Sequence, residues 1–303
     1  SSSSLAPPST QTPPSSSTNK RKLRKISSLK RSRSPSLSPP PSKQIKLSFE
    51  EDIPLHSYTG EISVHQNLSK KAPQNIIGRE NTVRRLMRLL ASPQYDRYPL
   101  LIGAKGLGKN SIVEKFAQEI KDNNAPDRLA DADVIRINCT ALVGEEIIAS
   151  EESAGINIRL QEELDRLNDY QNPIIYFQNI DKLLSFSHIP EYFSETLLGK
   201  IPCIASIEDE LTELPPAGKQ FLQKYFLKLP IQECSLKNCQ EILYQKLKES
   251  PTAEEVSISP KIIRQSIKYA KTHLTQYPLP LSALSLIEES IQEALLEEKS
   301  SPS

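Results

Sequence analysis

The heptapeptide Gly103-Ala104-Lys105-Gly106-Leu107-Gly108-Lys109 has the spacing G-x-x-x-x-G-K, and its neighbours decide what it can become. Before it runs Pro99-Leu100-Leu101-Ile102, short and apolar enough for a buried strand. After it Ile112, Val113, Phe116, Ala117 and Ile120 recur at helical spacing and share one face. Strand, glycine turn and helix N-terminus in that order make an anion cradle. The glycines let successive N–H groups point inward, and the helix end adds positive potential. The sequence therefore predicts a phosphate loop of Gly103, Lys105, Gly106, Leu107, Gly108 and Lys109, continued by Asn110 and Ser111. Lys109 is expected to reach the outer phosphates, and the expected cofactor is ATP or ADP. Asn110 stands where a Ser or Thr hydroxyl would meet Mg²⁺, and Ser111 is about 100° further round the helix. Metal positioning is therefore expected to be poor, and no residue is assigned as a metal ligand.

The rest of the chain alternates. Gly78-Arg79-Glu80 opens a helix with apolar Val83, Leu86, Met87, Leu89 and Leu90. Further strands are expected at 134–138, 174–177, 202–207 and 226–231, with helices at 157–169 and around 190–199 between them. Beyond residue 232 every periodic segment is helical, over about 236–248, 260–273 and 281–297. This order predicts an α/β domain over 73–232, its parallel sheet flanked by helices, and a small all-helical lid over 233–298.

Residues 1–72 have a different character. The first 49 hold sixteen Ser, eight Pro and ten Lys or Arg, with no acidic residue. Such a segment cannot bury enough apolar surface to offset its ordering entropy, so a disordered basic tail and a polar connector are expected. The net charge of +1 conceals the asymmetry: 38 − 10 leaves 28 basic residues against 37 acidic ones, a net of −9 for the remainder. The runs Lys20-Arg21-Lys22-Leu23-Arg24-Lys25 and Lys30-Arg31-Ser32-Arg33 read as a nuclear-import signal, as an arm for nucleic acid or another anionic surface, or as a solvated charge run. Phosphorylation at Ser34 or Ser38, each followed by Pro, would weaken that charge. No apolar run approaches eighteen residues, so no membrane span is expected. Cys139, Cys203, Cys234 and Cys239 lack paired spacing and read as buried reduced thiols. A cytoplasmic location is expected, or a nuclear one in a eukaryotic cell. With Met87 the only methionine, the chain is expected to be a processed product or a fragment.

Several of these segments carry a resemblance. Asn75-Ile76-Ile77-Gly78-Arg79-Glu80, Leu101-Ile102-Gly103, Gly106-Leu107-Gly108-Lys109, Ile112-Val113-Glu114 and Ala117-Gln118 are similar to the AAA+ modules of the Clp unfoldase family, particularly the first module. The similarity runs over about residues 73–297 and is most specific over 75–120. It implies a P-loop AAA+ fold, a nucleotide, and protein partners that include AAA+ subunits in a ring, since the family uses ATP to thread polypeptides through a hexamer.

The same resemblance marks departures. The family ends its third strand in Asp-Glu, for the metal and the attacking water; here the pair is Gln178 and Asn179. Amides neither act as a base nor bring the charge that attracts Mg²⁺. Lys224 stands for the family's trans arginines, Ser282 for the basic residue of the lid, and Ser206 near the sensor position on the fourth strand. The substrate-gripping loop reads Glu151-Glu152-Ser153-Ala154-Gly155, with no aromatic. No catalytic residue is assigned. The implied protein is a non-hydrolysing binding or scaffold module, a pseudoenzyme. The alternatives are a slow ATPase using Asn110, Asp181 and Lys224, and a nucleic-acid-associated AAA+ protein.

Overall fold

Apolar β-rich runs are short in this chain, and each pairs only where its neighbours bury it. The computed structural model describes residues 63–92, 97–149, 154–208, 214–250 and 258–300. In chain order the elements are β1 (His65–Asn67), α1 (Glu80–Ala91), β2 (Tyr98–Ile102), α2 (Lys109–Lys121), β3 (Val134–Asn138) and α3 (Cys139–Ala149, kinked at Gly144). There follow α4 (Ala154–Asp165), β4 (Ile174–Gln178), α5 (Asp181–Leu184), α6 (Ile189–Thr196), β5 (Cys203–Ile207), α7 (Pro216–Tyr225) and β6 (Phe226–Pro230). The last three are α8 (Leu236–Glu249), α9 (Pro260–His273) and α10 (Leu281–Ser300).

The six strands form one sheet in the order β1-β3-β4-β5-β2-β6. Every pairing is parallel except β1 with β3. Alternation along the strands sorts side chains to two faces. Ile135, Ile137, Ile175 and Phe177 enter one core, with Ile156, Leu160 and Phe193. Val134, Ile174 and Tyr176 enter the other, against Ile112, Val113 and Phe116 of α2. This is the expected helix-flanked α/β sheet, and β2, β3 and β4 lie within a residue of their predicted bounds. A third core inside α8, α9 and α10, with Cys239, Leu243, Ile263, Ile267 and Ile287, makes the helical lid.

Three expectations change. The connector up to residue 72 is not wholly connector: His65–Asn67 pairs with β3, and Leu68 is buried. His65 Nδ1 meets Glu163 Oε2 at 2.9 Å, and its Nε2 meets the Tyr170 hydroxyl at 3.0 Å, so the strand is pinned by side chains a hundred residues on. The helix expected at 157–169 is α4 followed by a 3₁₀ turn, Arg166–Asp169. Helices α3, α5 and α7 were not anticipated. Residues 1–62, which include the basic tail, lie outside the described residues. Among the described residues no helix is long and apolar enough to cross a membrane, and all four cysteines are free thiols.

Candidate nucleotide site

Strands β2 to β5 direct their carboxyl ends at a cleft of about 390 Å³, the place where parallel sheets gather ligands. The loop after β2 forms one wall. Gly106 and Gly108 have φ of +90° and +79°, a region glycine enters without steric cost. A Cβ on Gly106 would lie 2.5 Å from Leu281 Cδ2, so the first residue of α10 packs directly on the bare loop. Arg79 ties the loop down, donating from Nη2 to Leu107 O (2.7 Å) and from Nη1 to Gln232 O (2.9 Å). Lys109 is buried, and its Nζ donates to the carbonyls of Gly103 and Ala104. Burial pushes its pKa below the ordinary lysine value, while the charges of Glu208 and Asp181 oppose the shift.

Of the residues expected in the phosphate loop, Lys105 through Ser111 line the cleft, and Gly103 lies behind them against Leu107 and Ile231. The charge of the lining is lopsided. Arg79, Lys105, Lys109, Arg136 and Lys246 face it with one carboxylate, Glu208. An acidic domain has thus concentrated cations around one hollow, which is what a polyanionic ligand requires.

Behind the loop runs a buried hydrogen-bonded chain. Tyr176 OH donates to Asn110 Oδ1 (2.7 Å) and lies 3.0 Å from Ser206 Oγ. Ser206 Oγ accepts from Asn179 N–H (3.2 Å). The phenol has one proton to give, so the Ser206 hydroxyl supplies the second bond. Burial pushes the Tyr176 phenol far up, against the pull of the Ser206 bond and the Arg136 charge. The phenol therefore stays protonated, and the chain joins α2 to β4 and β5.

A nucleotide's phosphates fit this cradle: two left-handed glycines, a helix N-terminus and a lysine already donating to oxygen. A divalent metal does not. The two positions that would hold it present amides, and the Asn110 oxygen already accepts from Tyr176. Gln178 Oε1 is buried without a partner, a neutral acceptor where a hard cation needs anionic oxygen. Asn179 sits at φ +57°, its Nδ2 3.3 Å from Thr140 Oγ1 and 3.5 Å from Glu208 Oε1. Among the described residues no group of three His, Cys, Asp or Glu is arranged to hold a metal.

Other predicted positions fall elsewhere. Ser206 is buried inside β5, and Ser282 Oγ is buried without a partner; neither lines the cleft. Asp181 is also outside the lining, and burial raises its carboxyl pKa. Lys224 lies at the end of α7 with Nζ 4.8 Å from the Tyr225 ring centre. Of the expected substrate loop, residues 151–153 are outside the described residues. The sequence reading missed Arg136, Tyr176 and Glu208. A lone arginine inside the apolar run Val134-Ile135-Arg136-Ile137 was the available signal, because unpaired charges rarely enter buried strands. Tyr176 gave none.

Comparison with known proteins agrees with this geometry. Residues 99–197, which hold the loop and β2 to β4, match the model of the ATPase family associated with various cellular activities (AAA). The chaperone protein ClpB of Malacoplasma penetrans is 23% identical over 265 residues, 84% of this chain and 37% of the relative. Heat shock protein hsp98 of Neurospora crassa is 27% identical over 263 residues, 84% of this chain and 28% of the relative. The chain carries an AAA+ module of the Clp type. The structure of the Saccharomyces cerevisiae Hsp104–ADP complex shares the fold, with a TM-score of 0.63 and 20% identity over 78% of this chain and 34% of that one. Hsp104 with an ATP analogue and FITC casein gives a TM-score of 0.61 and 22% identity over 78% of this chain and 42% of that one. The AAA+ module here thus spans well under half the length of these relatives.

Proposed function

We propose that this AAA+ module binds ATP or ADP, turns it over slowly or not at all, and serves as a binding or scaffold module for a protein partner. The observation that carries the reading is the strand end facing Lys109. Gln178 and Asn179 offer amides there, and neither removes a proton from water. The backbone cradle and the lysine remain, so binding survives where the hydrolytic groups do not. Solved Hsp104 complexes with ADP and casein support nucleotide and protein as the ligand classes; the family resemblance adds other AAA+ subunits as candidate partners. The basic tail is the part suited to nucleic acid or another anionic surface.

One observation favours a second reading, a slow ATPase. Glu208 lines the cleft and is its one carboxylate. Steady-state phosphate release by the full chain, beside Lys109→Ala and Glu208→Gln, separates the two. The scaffold reading expects calorimetric binding of ADP or ATP that Lys109→Ala weakens, with phosphate release the same in all three proteins. Turnover abolished by both substitutions makes the chain an ATPase with Glu208 as its base. Absence of nucleotide binding by the unsubstituted chain would leave the loop a structural relic.

A further inference from the structure

Arg136 is a charge that the contacts among the described residues leave unexplained. It sits in the middle of β3, is 7% exposed, and has Nε buried without a partner. Among the described residues its side chain makes no hydrogen bond or ion pair. A guanidinium cannot shed its proton, so it stays charged wherever it is placed. An unpaired buried cation is costly, and it persists where something completes it. Glu114, whose charge like that of Arg136 is felt by Tyr176, pairs with Lys71 at 2.7 Å, and Glu208, the carboxylate of the cleft lining, has Asn179 Nδ2 at 3.5 Å.

Its position says what completes it. In register Arg136 stands beside Tyr176, and Asn138 beside Gln178. Alternation puts Arg136, Tyr176 and Gln178 on the α2 face of the sheet. Tyr176 in turn touches Asn110, the residue after the loop lysine. Arg136 therefore lines the cleft together with Asn138, Gln178 and Asn179, where the strand ends present amides rather than carboxylates.

We propose that Arg136 is an internal counter-ion for nucleotide phosphates, and that the cleft takes ADP or ATP free of metal. The planar fork of a guanidinium suits two phosphate oxygens at once. Five cations against one carboxylate repel a further divalent charge and attract the more anionic, metal-free nucleotide. This rests on the nucleotide-binding reading above, and the experiment separates the two.

ADP binding to the full chain is measured by calorimetry in EDTA and again in excess Mg²⁺. The expected result is binding in EDTA at least as tight as in Mg²⁺. Arg136→Gln is expected to weaken binding in EDTA by about ten- to a hundredfold, the loss of a hydrogen bond from a charged donor. Arg136→Lys, which keeps the charge without the fork, should fall between. Without nucleotide, Arg136→Gln should melt no lower than the parent, because it relieves a buried charge. A strict Mg²⁺ requirement in the parent overturns the proposal and leaves nucleotide binding standing. Undiminished ADP affinity of Arg136→Gln in EDTA, or a lower melting point with unchanged affinity, makes Arg136 a structural cation and also overturns it. If the parent binds no ADP in either buffer, the nucleotide reading itself fails, and Lys109→Ala will then give the same blank trace. The Mg²⁺ comparison on the parent does not depend on any variant folding.

Discussion

Gly106 and Leu281 bring loop and lid together. A methyl group at Gly106 meets two penalties, a φ of +90° and a Leu281 carbon at 2.5 Å. Gly106→Ala is expected to cost about 1–3 kcal/mol from the backbone conformation alone. The steric part should be recovered by adding Leu281→Ala, so a double-mutant cycle read by urea unfolding should show coupling between the two. Purely additive losses would mean the lid does not press on the loop in solution. Lys109 supplies a prediction of another kind. Burial lowers its pKa in the folded protein, so the unfolded chain holds this proton more tightly. Between the lowered folded value and the ordinary value near 10.5, the unfolded state binds more protons, and stability rises with pH. Below that window both states are protonated and the desolvation cost is felt in full. Lys109→Met should therefore flatten the alkaline part of a stability-versus-pH curve and raise the stability of the ligand-free protein at neutral pH. Denaturant titrations across the alkaline range check both.

Strand β1 shows how an element of three residues can matter. Its His65 faces Glu163 and Tyr170, with side-chain exposures of 14% for His65 and 9% for Glu163. His65→Ala removes one partner from a buried carboxylate that keeps Arg166 at 2.8 Å. A loss of about 1–3 kcal/mol is expected in equilibrium unfolding; a loss near zero would mean Arg166 alone satisfies Glu163. The same strand illustrates what the sequence withheld. The strands at 98–102, 134–138 and 174–178 were legible because their apolar runs are continuous and buried on both faces. His65-Gln66-Asn67 is polar, with no periodicity of its own; its place comes from Ile135–Ile137 across the ladder. Helix α7 was missed because Phe221 and Leu222 are the only large apolar residues in its buried face. At the site, the loop from Lys105 to Ser111 could be read because spacing and context are local. The Tyr176–Ser206–Asn179 chain joins residues up to 30 positions apart, and no local pattern announces such a link.

At the scale of the whole molecule, composition divides a basic N-terminal segment from an acidic remainder. Removal of residues 1–49 is expected to leave the thermal midpoint of the rest nearly unchanged and to abolish salt-sensitive binding to polyanions. A marked fall in the midpoint would mean that the tail docks on the acidic domain. Within the AAA+ module, Arg79 Nη1 donates to Gln232 O just before the lid begins, and inside the lid Leu279 N–H donates to Glu233 Oε1 at 3.2 Å. The antiparallel strand at one border of the sheet has a consequence for life in a crowded solution. A bare parallel edge is a template on which another chain can add a strand. Here β1 covers β3 with only three residues, too short a ribbon to extend. The opposite border, β6, exposes Lys228 and ends in Pro230, which has no N–H to offer a newcomer. Both rims are thereby poor seeds for fibrils, and the folded sheet offers a second copy little to extend strand by strand.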